Sequence, residues 1–243
     1  MKLLSMALAT GLLGLTGVAQ ATLHDRGSGL IYDDVLDVTW LQDANYAKTS
    51  GYDADGKMYW HQASAWADGL VYYDSIRDVV YDDWRLPTVT PIDGSTFDFA
   101  YSVAGDTDIG YNIGAPGSAY AGSTANELAY MFYQNLGNIG HYTLTGEVSG
   151  CYTSTQGTCL ANVGPFVNLL SVNYWSGTEY PADMDLAWGI DMDFGYIYVY
   201  DKFYAQYGWA VRDGDVAAVP EPETYALMLA GLGLLSWAAR RRA

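Results

Sequence analysis

The sequence predicts an α+β domain made of short, mainly antiparallel strands and long loops, with two main helices. Three observations carry that prediction. Apolar and polar residues alternate with a period of two in the last third, two segments repeat apolar residues at helical spacing, and Gly/Ser/Asp/Tyr-rich stretches with neither period separate them.

At the N-terminus Lys2, the apolar run Leu3 to Val18 and Ala19-Gln20-Ala21 read as a secretory signal peptide over residues 1–21, so the exported chain is expected to start at Thr22. Residues 22–216 are long enough for one domain with its own core. Within it, Leu30 to Tyr46 reads as two strands around an acidic turn, with Leu36, Val38 and Trp40 alternating against Asp37 and Thr39. Tyr59, Ala63, Trp66 and Leu70 then fall on one helical stripe, and Gly69 lies near its end. Thr88 to Ser123 is read as a loop-rich insertion.

The second helix is expected from Thr124, as N-cap of a capping box with Glu127, to a stop at Gly137. Leu128, Met131, Phe132 and Leu136 are its buried stripe. Further on, Trp188, Ile190, Met192 and Phe194 share one strand face and Asp191 and Asp193 the other; Gly195 turns the chain. The return strand sets Tyr196, Tyr198 and Tyr200 opposite Ile197 and Val199, and "YGWAVRDGD", starting at Tyr207, reads as a closing strand.

Residues 22–216 hold seven of the 11 basic side chains and 26 of the 28 acidic ones, a net charge of −19. Such a body disfavours nucleic acid and anionic lipid as partners. The two cysteines, Cys151 and Cys159, are read as a disulfide stapling a Ser/Thr/Gly-rich loop, worth about 2–3 kcal/mol. No histidine lies near them in sequence, so a metal or catalytic use of the pair is not expected. His24, His61 and His141 form no ligand spacing, and no P-loop, G-x-S-x-G or G-x-G-x-x-G fingerprint occurs. No catalytic residue and no cofactor is assigned.

Asp-x-Asp pairs occur at Asp53/Asp55, Asp106/Asp108, Asp183/Asp185, Asp191/Asp193 and Asp213/Asp215. Two readings stand for them, a solvated acidic surface or an oxygen site for weakly held extracellular Ca²⁺. The stripe Tyr196/Tyr198/Tyr200 beside Asp191 and Asp193 is the candidate ligand-binding surface, because aromatic faces next to carboxylates suit sugar rings. The competing reading is that tyrosine simply suits a half-buried strand. In Trp84-Arg85-Leu86-Pro87 the two apolar residues are expected in the core, Arg85 paired with a nearby Asp, and Pro87 ending a strand.

Two resemblances add to this. "GLIYDDVLDVTWLQDAN", "WHQASAWADGL", "DDWRLPTV", "NYWSGTEY", "AWGIDMDFGYIYVYDK" and "GWAVRDGD" stand in the order seen in the Lcl C-terminal domain-like family, a domain of unknown function. That resemblance covers about residues 29–215, leaving Thr88–Ser123 and Gly137–Leu170 unmatched, and implies a C-type-lectin-like fold shared with formylglycine-generating enzymes. The catalytic cysteines of those enzymes and the Glu-Pro-Asn or Trp-Asn-Asp motifs of sugar-binding lectins have no counterpart here. Second, Pro220-Glu221-Pro222, an apolar run over 224–239 and the basic end Arg240, Arg241, Arg242 resemble the PEP-CTERM sorting signal over residues 217–243. It implies a helix of about 24 Å, shorter than a ~30 Å hydrocarbon core, that anchors the chain transiently in the inner membrane until an exosortase processes it.

The expected function is therefore a non-enzymatic, exported surface or matrix protein that binds a glycan, such as an exopolysaccharide, or another surface protein. A purely structural acidic matrix component, Ca²⁺-bridged or not, and an unrecognised hydrolase are the alternatives.

Overall fold

The computed structural model describes residues 22–153 and 157–216. The expected signal peptide, the Pro-Glu-Pro motif, the C-terminal apolar helix and the basic end lie outside the described residues. Among those residues no helix is long and apolar enough to cross a membrane.

The architecture is α+β, rich in strands and poor in helix. The chain runs β1 (Leu23–Gly27), β2 (Leu30–Asp33), β3 (Val38–Leu41), α1 (Tyr46–Thr49), β4 (Lys57–Met58), α2 (Trp60–Asp68), β5 (Tyr72–Asp74), β6 (Val79–Tyr81) and β7 (Trp84–Arg85). It continues with β8 (Tyr101–Ser102), β9 (Ile109–Gly110), α3 (Glu127–Tyr130) and a π-helical turn over Met131–Asn135. Then follow β10 (Asn173–Glu179), β11 (Leu186–Asp191), β12 (Tyr196–Asp201), β13 (Gln206–Tyr207) and β14 (Val211–Asp213). A five-stranded sheet has the order β1-β2-β3-β14-β7, and a seven-stranded sheet the order β4-β13-β10-β11-β12-β9-β8. β5 and β6 form a separate hairpin. The pairing is mixed, since β10 with β13 and β8 with β9 run parallel.

The centre of the large sheet follows the alternation in the sequence. Trp188, Ile190, Ile197 and Val199 enter the larger hydrophobic cluster together with Phe132, Met131 and Trp209. On the opposite face Trp175, Ala187 and the partly buried Tyr200 join a smaller cluster built with Trp60, Ala63 and Trp66 of α2. Each sheet residue thus has a defined side, as period-two strands require.

Several expectations are corrected. The closing segment is not one strand. Gln206–Tyr207 pairs in the large sheet, and Val211–Asp213 pairs with β3 and β7 in the small one. Between them Trp209 is fully buried; its indole N–H donates to Leu41 O at 2.8 Å and its ring packs against Trp40 with centroids 4.5 Å apart. Thr39, expected on a polar face, is buried and donates to Gly214 O at 2.7 Å, because β14 lies beside β3.

The first helix begins one residue later than its apolar stripe suggested. Tyr59 is exposed and sits at the N-cap, where its N–H donates to Gln62 Oε1, while Trp60 takes the buried position. In the second, Asn126 and not Thr124 is the N-cap, accepting from Ala129 N at 3.0 Å. Glu127 does not turn back to cap the helix. Its two carboxylate oxygens take a bidentate pair of bonds from Arg85, at 2.8 Å each, and Thr88 N–H adds a third. A charge-assisted fork outcompetes a local cap. Arg85 also bonds Asp213, so its partners include the expected Asp together with a Glu from the helix.

The Thr88–Ser123 insertion has its own anchor: buried Asp108 accepts from Ile92 N and Asp98 N at 2.8 and 2.7 Å. Cys151 and Cys159 are joined in a disulfide, as expected.

Two stability measurements check this account. Trp209→Ala removes the ring that sits between the sheets and is expected to lower the unfolding free energy by roughly 3–5 kcal/mol in urea denaturation, in a single transition. A Cys151→Ala/Cys159→Ala variant is expected to lose about 2.5 kcal/mol, and the loss should match that caused by reductant in the wild type.

Candidate functional site

The smaller cluster covers only part of its sheet face. Strand register sets two further rows on this face: buried Trp175 and Gly189 with exposed Tyr198, then half-buried Asn173, Asp191 and Tyr196. Gly189 is required by the packing. A Cβ there would stand 2.7 Å from Tyr174 O and 3.2 Å from the Tyr200 ring, so only glycine lets Tyr200 lie across the strand. Tyr200 is held down and meets Trp175 edge-on at 6.2 Å.

The tyrosine stripe is longer than the strand pattern indicated. Tyr196 stacks on Tyr198, with centroids 5.3 Å apart and planes 19° apart, and on its other side on Tyr111 at 4.9 Å and 23°. Tyr142 meets Tyr111 edge-on at 5.1 Å, and Tyr101 closes over Tyr196 at 6.2 Å. Tyr101, Tyr111 and Tyr142 come from loops and short strands in the segments without periodicity. β9 brings Tyr111 to the row by pairing Gly110 with Ile197.

This geometry corrects the picture of open aromatic faces. Both faces of Tyr196 are covered by neighbouring rings, so the row presents ring edges and hydroxyls, and its most exposed members are Tyr198 (41 %) and Tyr101 (57 %). None of the six phenol groups of Tyr101, Tyr111, Tyr142, Tyr196, Tyr198 and Tyr200 bonds to another group among the described residues. Burial pushes the Tyr196 hydroxyl up to about 12, and it also raises Tyr200, with the Asp191 charge adding to it. Both of these hydroxyls are therefore un-ionised at neutral pH and can donate as well as accept.

At the end of the row lies a cleft of about 300 Å³ lined by Asp191, Asp193, Asn173, Gln206, Ser171 and Lys57 among others. Asp191 Oδ1 accepts from Asp193 N–H at 2.8 Å, and Asp193 accepts from Ser171 Oγ, also at 2.8 Å. Burial raises the Asp191 carboxyl above its ordinary range; the Asp193 N–H opposes that rise and the Asp193 charge adds to it. Gln206 is only 5 % exposed, yet neither its carbonyl oxygen nor its amide nitrogen has a partner among the described residues. A buried amide left without a partner costs about 1–3 kcal/mol.

The remaining Asp-x-Asp pairs mostly bracket turns. Asp53 Oδ1 accepts from Asp55 N and Gly56 N, Asp55 from Lys57 N, and Asp183 from Asp185 N. Asp213 and Asp215 pair with Arg85 and Arg26. The disulfide has a neighbour that sequence spacing did not reveal: a His141 ring nitrogen and the two sulfurs lie within 4.8 Å of one another. With both sulfurs joined to each other, they are not free thiolate ligands.

Residues 218–242 match the PEP-CTERM protein-sorting motif. No curated protein and no solved structure matches the chain. The PEP-CTERM match includes Pro220, Glu221, Pro222 and Arg240 to Arg242, and it indicates a protein exported to the cell envelope or surface and processed by an exosortase. The face described above belongs to the part of the chain that precedes this PEP-CTERM segment.

Asp191 gives a pH test. Its folded-state pKa is raised, so the ionised carboxylate costs stability above that pKa and the cost vanishes below the unfolded value of about 4. Asn at this position can still accept from Asp193 N–H. Asp191→Asn is therefore expected to raise the melting temperature at neutral pH, and the gain should shrink to nothing as pH falls toward 4 in calorimetry.

Proposed function

We propose that the exported body is a non-enzymatic surface or matrix protein that binds a glycan at the tyrosine row and the cleft beside it. The observation that carries this reading is the convergence, on one sheet face where Tyr198 is exposed, of phenol hydroxyls that bond no other group among the described residues, two carboxylates and two amides. Sugars present many hydroxyls at fixed spacing together with C–H faces. Hydroxyls and amides satisfy the former, and the exposed ring of Tyr198 suits the latter. The PEP-CTERM segment supports placement of this face outside the cell, where glycans are the abundant ligand. The resemblance to the Lcl C-terminal domain-like family, with its lectin-like fold, agrees with the same reading.

A structural acidic component is the second reading, and the turn-bracketing aspartates favour a form of it without Ca²⁺ bridges. Those carboxylates already accept backbone N–H bonds, which leaves fewer oxygens for a cation that takes six to eight.

Tyr198→Ala removes the most exposed ring of the β12 stripe, together with its stacking on Tyr196 and its edge contact with Tyr200. On a glycan array the wild-type protein is expected to bind a defined subset, and Tyr198→Ala to lose roughly tenfold or more in affinity while staying folded, with a melting temperature lowered by only a few degrees. Wild-type protein that binds no glycan would overturn the proposal.

A further inference from the structure

The charge balance of the cleft narrows the ligand class, on the assumption that the face binds a glycan at all. Two carboxylates, Asp191 and Asp193, line it against a single ammonium, that of Lys57, which sits over the Tyr207 ring at 5.9 Å from its centroid. The cleft therefore carries one uncompensated negative charge, within a body whose own net charge is −19. Asp191 bears the consequence, since burial and the Asp193 charge both raise its pKa, as happens to a carboxylate that lacks a counter-ion. Independently, Gln206 lines the cleft as a nearly fully buried amide with neither atom paired, and Asn173 stands directly across the ladder from Asp191.

We infer that the cleft takes a singly charged ammonium carried on a sugar, so that the glycan bound is one with free amino groups, a 2-amino-2-deoxyhexose polymer. The ammonium sits between Asp191 and Asp193 and cancels the surplus charge. The Asn173 and Gln206 amides take the flanking hydroxyls, and the tyrosine row takes the next sugars along the chain. A volume of about 300 Å³ matches one sugar ring and exceeds what a bare ion fills. A divalent cation would leave the cleft one charge too positive, and a uronic acid polymer would add to the negative surplus.

The test compares three hexasaccharides by calorimetric titration into the full exported protein: a glucosamine oligomer, its N-acetylated form and the matching glucose oligomer. The buffer is just acidic enough to protonate the sugar amines. The glucosamine oligomer is expected to bind roughly tenfold tighter than the other two, as one charge-assisted contact gives. That advantage should fall to within about twofold in Asp191→Asn, and it should grow severalfold in Lys57→Ala, an exposed position whose loss leaves the acidic pair unopposed. Equal binding of all three by the wild type overturns the ammonium assignment while leaving the glycan reading intact. Binding that disappears with chelator also overturns it, assigning the carboxylates to a cation. No binding by any of the three, with a blank glycan array, overturns the glycan reading itself.

Discussion

Trp209 is the constraint on which the rest of the structure depends. The chain passes through it from the seven-stranded to the five-stranded sheet, and its ring touches Trp40, Phe166 and Tyr174 at centroid separations of 4.5, 4.7 and 6.1 Å. The indole N–H is satisfied by Leu41 O, and Leu41 N–H in turn donates to Ala210 O. The preceding Gly208 lets the Trp66 ring come within 3.1 Å of where a Cβ would stand. One short segment therefore locks both sheets and α2 together. A large aromatic residue suits this task because it combines extensive buried area with a polar atom that can be satisfied in a fixed direction.

The open face follows from where that packing stops. The α2 side of the structure covers the large sheet around Trp175 and Ala187; beyond it Tyr198 is exposed, and Asn173, Asp191 and Tyr196 are half-buried. Outward-facing strand residues would ordinarily be mixed polar groups. Here they are tyrosines that stack on one another, with a cleft at the end that has more carboxylate than ammonium. The rings stabilise each other and so can stay ordered without cover. The cleft instead combines a buried amide that has no partner among the described residues with a carboxyl whose pKa burial raises.

What could be read from the sequence divides along physical lines. The β11–β12 hairpin, its turn at Gly195 and the burial of Ile190 and Ile197 were legible, because period two reports a face directly. The disulfide was legible for a different reason: two cysteines in an exported chain have one simple fate. Arg85's pairing with an acid was foreseen, but its fork with Glu127 was not, since a capping box and an ion pair draw on the same residue types. Tyr111 and Tyr142 joined the row unseen, because loops carry no period and their positions depend on pairings distant in sequence. The split of the closing segment was hidden for the same reason: nothing local distinguishes one strand from two that belong to different sheets. The Gln206 signal, an amide without a partner, exists only once the surroundings are built.

The aspartates at turns have a consequence for how this protein can change. A side-chain oxygen that accepts a backbone N–H two residues on, as in Asp25, Asp33, Asp43, Asp74, Asp93 and Asp201, is supplied equally well by asparagine. At the exposed ones among these, exchange between the two residues keeps the turn and alters only the charge. Part of the surface charge is thereby uncoupled from the topology, and a lineage carrying this fold can shed some of its negative charge at positions such as Asp25 and Asp93 without refolding those loops.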